Sequence, residues 1–131
     1  MTEIPKAFRD ILEKKAFAHL ATRMKDGRPQ VSPVWVELDG DRVVVNSAKG
    51  RLKDRNMRAD GRVALSATDP DNPYRALMIQ GKVVEITEDG AEEHIDKLAK
   101  KYLDEDKYPF RATGEVRVKY FIEPTKVATM G

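Results

Sequence analysis

Cysteine is absent from the 131 residues, and histidine occurs only at His19 and His94. The first absence removes disulfides, a thiolate nucleophile and cysteine-based zinc sites. Two distant histidines without an organised carboxylate cluster argue against a transition-metal centre, so no metal ligand is assigned. A charge excess is missing too, since 24 basic and 22 acidic side chains leave only +2. That balance does not fit a protein that coats DNA. No stretch of ~18 apolar residues is available to span a membrane, and MTEIPKAFRDIL lacks the apolar core of a signal peptide. The expectation is a soluble cytoplasmic protein with neither membrane nor nucleic-acid partners. G-x-G-x-x-G is lacking, which removes a Rossmann dinucleotide site. Neither a serine–histidine–acid set nor paired carboxylates on strands can be found. If the chain is an enzyme, a cofactor supplies the reactive atom and the protein supplies placement and electrostatics.

What is present reads as one domain, residues 1–131. Ile4, Phe8, Ile11 and Leu12 form the apolar stripe of a short helix. Three apolar runs follow: Ala16–Arg23, Pro29–Leu38 and a β-branched run from Arg42. Turns at Lys25-Asp26-Gly27 and Asp39-Gly40-Asp41 join them into an antiparallel meander. Arg62–Thr68 reads as a fourth strand, Asp69–Tyr74 as a loop, and Arg75–Thr87 as a fifth strand with a bulge or bend at Gly81. Ala91–Leu103 is a helix with Ile95, Leu98, Ala99 and Tyr102 on its apolar face, and His94 is assigned to the solvated side. A strand over VRVKYFIEP and a last short one near Lys126–Met130 complete the chain. Six or seven antiparallel strands with inserted helices predict a mainly β (α+β) fold, a small closed or half-closed barrel.

The segment Arg42–Asp60 concentrates positive charge. Six cations are offset only by Asp54 and Asp60. Val43, Val44 and Val45 lead into Asn46-Ser47-Ala48, and a basic helix follows at once. Lys49, Lys53 and Asn56 fall at i, i+4 and i+7, which places them on one face, with Arg51, Arg55 and Arg58 on the next. A strand end that feeds a cationic helix N-terminus can hold a phosphate, although a solvated basic helix shows the same spacing. No aromatic residue interleaves Lys49–Arg58, unlike a single-strand nucleic-acid platform.

Pro33 interrupts the second strand and cannot donate to a central ladder, so this strand belongs at an edge or beside a ligand. Gln30, Ser32 and Val34 face one way, and Val31, Pro33 and Trp35 the other. Gln30 and Ser32 are either satisfied within the fold or offer donors to a bound heterocycle. His19, between Ala18 and Leu20, reads as a hydrogen-bonded core residue rather than a catalytic one.

The run Leu20–Leu65, with LAT, DGRPQ-x-S-P, a β-branched strand ending in small polar residues, K-x-x-N and R-V-A-L, resembles the pyridoxamine-phosphate-oxidase-like split β-barrel family. Gln80, Gly81 and Val83 extend the likeness into the fifth strand. The nearest resemblance is to the branch that uses the deazaflavin coenzyme F420. It implies a split barrel with flanking helices, a homodimer, and two cofactors at the subunit interface. It places Gln30, Ser32, Pro33 and Val34 along the ring. Asn46, Ser47 and Ala48 are placed by the ribityl chain and phosphate, and Lys49, Lys53 and Asn56 on the phosphate. Arg51, Arg55 and Arg58, with Lys25 or Arg28, would follow an anionic tail. Trp35, Tyr74, Met78 and Gln80 are candidates for the second subunit's share of the ring pocket. The implied activity is hydride transfer between coenzyme F420 and a small conjugated organic substrate, with Ser32 polarising ring or substrate. The alternatives are an FMN-binding oxidoreductase and a non-catalytic cofactor carrier.

Overall fold

The computed structural model describes residues 2–131. A 3-10 turn, Lys6–Phe8, runs into a short helix α1, Arg9–Glu13. The strands are β1 (Ala18–Arg23), β2 (Pro29–Val34), β3 (Val36–Asp39) and β4 (Arg42–Ala48), then β5 (Arg62–Asp69), β6 (Asn72–Thr87) and β7 (Arg117–Met130). Helix α2 (Leu52–Ala59) follows β4, and α3 (Ala91–Leu103) follows β6. All seven strands form one antiparallel sheet in the order β2-β1-β5-β6-β7-β4-β3.

This order explains why the sheet curls. Its two edges, β2 and β3, are consecutive in the chain and separated only by Trp35. One extended segment therefore leaves the first edge and joins the last, so the sheet must bend until its edges approach. The result is a split barrel. The expected single strand Pro29–Leu38 is thus two strands, because Trp35 is where the chain changes partners. Pro33 pairs with His19 on β1 and has no strand on its other side, where its missing N–H costs nothing.

Alternation sorts the side chains. Leu20, Val43, Val45, Leu65, Ile79 and Tyr120 point into the barrel with Ile11 and Leu12 of α1 closing it. A smaller cluster of Ile95, Leu98 and Tyr102 seats α3 outside the barrel, with Trp35 and Tyr108 against it. The Tyr102 hydroxyl donates to the Ala16 carbonyl (2.7 Å) and accepts from the Val36 N–H (3.1 Å). It satisfies backbone on both sides of the seam. Among the described residues no helix is long and apolar enough to cross a membrane.

Two expectations about the later strands change. Asp69–Tyr74 is a tight hairpin rather than a loop, since Asp69 already pairs with Asn72. The last two strands are one, Arg117–Met130, because β6 is long enough to pair along its whole length after a bulge at Gln80/Gly81. That bulge falls where the sequence placed it. A Cβ at Gly81 would lie 2.7 Å from Ile122 Cγ2 and 2.9 Å from the Glu123 carbonyl. Gly81→Ala is therefore expected to lower stability by about 2 kcal/mol, read as a lower urea midpoint at unchanged slope.

Candidate functional site

The strand end predicted to meet an anion opens on a cleft between β2, β4, α2 and α3. Pro33, Val34, Asn46, Arg51 and Lys53 line it together with Phe17, Trp35, Tyr108, Phe110 and Arg117, around a cavity of about 170 Å³. Trp35 stacks on Tyr102 (5.2 Å, 6° between planes) and meets Tyr108 edge-on at 5.9 Å. Phe17 and Phe110 stand exposed at the rim. The cleft is walled by aromatics and floored by cations.

The cations are unevenly matched. Arg117 is buried on β7, pairs with Glu115, donates from Nε to Asn46 Oδ1 (2.9 Å), and lies 5.0 Å over the Tyr108 ring. Arg51 reaches the same Glu115 at 4.0 Å. Lys53 has no ion-pair partner among the described residues. Burial, and then the charges of Arg51 and Arg117, lower its pKa below that of an ordinary lysine. Arg51 and Arg117 thus share one carboxylate, and Lys53 beside them has none. A half-buried ammonium held beside two guanidinium groups fits an anion that supplies the missing charge.

Asp54 fixes this arrangement. Its carboxylate accepts from the Gly50 N–H (2.8 Å), Arg58 Nε (2.9 Å) and the Tyr120 hydroxyl (2.5 Å). Burial alone would raise its pKa, but these donors together hold it below the usual range. The Gly50 bond ties the turn before α2 to the barrel, which aims Arg51 and Lys53 into the cleft.

Other predicted residues are placed differently. Lys49 precedes α2, is exposed and pairs with Glu88 at 3.5 Å, so it does not share a helix face with Lys53. Asn56 is buried and donates to Thr22 Oγ1 (3.0 Å), which donates to Gln30 Oε1 (3.1 Å). Gln30 and Asn56 are joined to each other through Thr22, away from the cations. Ser47 pairs with Val118 and points into the barrel, where its Oγ has no partner. Ala48 is buried opposite Arg117. Ser32 pairs with Leu20 and so faces the barrel; its Oγ is likewise buried without a partner, and it does not line the cleft. Among the other tail candidates, Arg58 is bound by Asp54 and Arg28 by Asp26.

Met78 and Gln80 lie outside the cleft, further along the outer face of the sheet, in the row Pro33, His19, Ser66 and Met78. There they line a second cavity of about 370 Å³ with Val31, Ser66 and His19. His19 is exposed on that face, which corrects its expected place in the core, because alternation puts it opposite Ala18 and Leu20. Tyr74 is exposed on the β5–β6 hairpin. Ala21, Ala64 and Ala128 line that second cavity with Val31, Leu65 and Ile79, so this part of the outer face is largely apolar.

Two residues near the cleft were missed. Arg117 gave only one hint, an arginine at the start of a strand whose alternate residues are apolar. His94 is buried rather than solvated, since it stands four residues before Leu98 and eight before Tyr102 on the packed stripe of α3. Its Nδ1 is 3.0 Å from Asn46 Nδ2, and its Nε2 is 3.4 Å from Glu37 Oε1. His94, and after it Lys97, hold the Glu37 carboxyl at about 2 against the effect of burial.

Fold and cleft together define a split-barrel protein with a cation-lined cleft beside its seam. The chain belongs to the pyridoxamine 5'-phosphate oxidase family, which matches residues 4–129. A solved structure named F420 reductase is 35% identical, with a TM-score of 0.85 over 95% of this chain and 98% of that one. An FAD-binding protein from Mesorhizobium loti is 19% identical, with a TM-score of 0.71, covering 96% of this chain and 94% of its own. A conserved hypothetical protein from Mycobacterium tuberculosis is also 19% identical, with a TM-score of 0.74, covering 99% and 89%. These last two speak for the fold alone. No curated protein matches the chain.

Proposed function

We propose that the protein is an oxidoreductase that binds coenzyme F420 at the seam of a homodimer and acts on a small conjugated organic substrate. The observation that carries this reading is a set of three cations in an aromatic-walled cleft, of which Arg51 and Arg117 share the Glu115 carboxylate and Lys53 has no carboxylate partner among the described residues. A single FMN phosphate would satisfy Lys53 and one neighbour. A phosphodiester followed by a glutamate tail uses Arg51 and Arg117 as well. The likeness to the F420 reductase supports the same choice.

When bound, the deazaflavin supplies a hydride donor and acceptor. The chain's own residues do the placing. Lys53 and Arg117 fix the anionic end, and Trp35 and Phe17 exclude water from one side of the cleft. The cavity of about 170 Å³ is smaller than the roughly 300–1,000 Å³ of pockets for ligands of this size. A second copy completes it, docking through the largely apolar outer face that carries Met78, Gln80 and Tyr74.

Purified protein given reduced coenzyme F420 and a panel of quinones, unsaturated lactones and nitro-aromatics tests the activity. Acceptor-dependent recovery of the oxidised absorption band is expected. Binding without turnover of any acceptor would leave a cofactor carrier, and turnover with FMN alone would replace the deazaflavin.

The Lys53 environment gives this binding a pH dependence. The free ammonium loses its proton at a lower pH than ordinary lysine, and the anion needs it charged. Affinity is therefore highest below that lowered pKa and falls as pH rises through it, with proton uptake on binding. Calorimetry in buffers of different ionisation enthalpy checks the uptake, which Lys53→Met should abolish.

A further inference from the structure

We propose that His94 is a positioning residue for the cleft: its singly protonated ring orients Asn46, Asn46 holds Arg117, and a second proton breaks the chain. The proposal rests on the reading that Arg117 contacts the bound anion.

Hydrogen-bond directions decide the matter. Arg117 Nε can only donate, so the Asn46 atom that it meets at 2.9 Å is the amide oxygen. The Asn46 amide nitrogen then faces the Ala91 carbonyl (3.0 Å) and His94 Nδ1 (3.0 Å), and donates to both. His94 Nδ1 must therefore be a bare acceptor, and the ring proton sits on Nε2, toward Glu37 Oε1 at 3.4 Å. Arg117 Nη1 is taken by Glu115, which leaves Nη2 without a protein acceptor on the cleft side.

A second proton on His94 turns Nδ1 into a donor that faces the Asn46 NH₂. Flipping Asn46 relieves that clash, but then sets its NH₂ against Arg117 Nε and its oxygen against the Ala91 carbonyl. No orientation of Asn46 satisfies both neighbours. Charged groups around the ring do not replace this link. Glu37 on β3 is already ionised and shared with Lys97 on α3 at 2.6 Å. Lys119 on β7 lies against the Gly90 turn, and among the described residues Arg117 is the only other charge joined to Asn46. Protonation of His94 therefore reaches the cleft through one amide.

Side-chain NMR of the free wild-type protein between roughly pH 5 and pH 8 reads the chain directly. The Arg117 Nε–H and Asn46 amide resonances are expected to shift with the midpoint of the His94 ring. Sulfate, which keeps its charge over this range, is expected to bind about fivefold more weakly once His94 is doubly protonated. His94→Gln offers Asn46 an acceptor and Glu37 a donor, and should keep the high-pH affinity while losing the pH dependence. An Arg117 resonance that stays flat across the His94 titration overturns the proposal, as does a His94→Gln variant with the full wild-type pH dependence. If sulfate binds at neither pH, the anion assignment fails, while the coupling in the free protein still decides the role of His94.

Discussion

Lys53→Ala is expected to weaken coenzyme F420 binding about 100-fold without lowering the stability of the free protein. Both halves follow from one geometry. The ammonium is half-buried, has no carboxylate among the described residues, and is disfavoured by burial and by Arg51 and Arg117. Removing it relieves repulsion in the empty cleft and deletes the strongest available contact in the filled one. Lys49 provides the comparison, since it is exposed and already paired with Glu88. Lys49→Ala should change affinity by less than about twofold, because exposed ion pairs contribute little. Fluorescence titration of the coenzyme beside urea unfolding separates the two effects. A Lys53→Ala protein that binds normally, or one that loses affinity only because it unfolds, would remove the phosphate assignment.

Ala64→Arg is expected to convert the protein from a dimer to a monomer and to abolish cofactor binding with it. Ala64 lines the second cavity beside Ala21, Met78 and Gln80, on the outer side of β5. An arginine there projects away from the barrel, so the fold tolerates it, yet it buries a charge in any copy docked on that face. Light scattering should give twice the chain mass of 14.8 kDa for the wild type and the chain mass for the variant. A wild-type monomer that binds the coenzyme would contradict the shared pocket. Unchanged dimers of Ala64→Arg would move the interface elsewhere.

The barrel was legible because its signals are local. Two Asp-Gly turns, the β-branched run Val43–Val45 and the glycine bulge at Gly81 all act within a few residues. The half-closed barrel was legible too, but which strands form its edges was not, although Pro33 marked one. That β2 and β3 are the two opposite edges of one sheet depends on every pairing between them. The cation cleft was half legible. Arg51 and Lys53 follow directly from the strand end, whereas Arg117 arrives from β7 through the pairing Ala48↔Arg117.

Helical counting misled at Lys49: it placed Lys49 on the helix, but a turn at Gly50, held by its bond to Asp54, comes first, so α2 begins at Leu52. The resemblance placed Asn56 on the phosphate; in the structure its amide donates to Thr22 inside the protein. His94 shows the converse error. A polar residue on a packed stripe was assigned to solvent when Asn46 and Glu37 were waiting to pair with it. Polarity alone does not distinguish a binding residue, a solvated one and a satisfied buried one; the partner does.

A crystal structure with coenzyme F420 bound tests the central claim most directly. The phosphodiester is expected within hydrogen-bond distance of Lys53 and Arg117, with the ring between two copies of the chain and against Pro33 and Val34 of one of them. A phosphodiester held by other cations, or a ring bound wholly within one protomer, would contradict it.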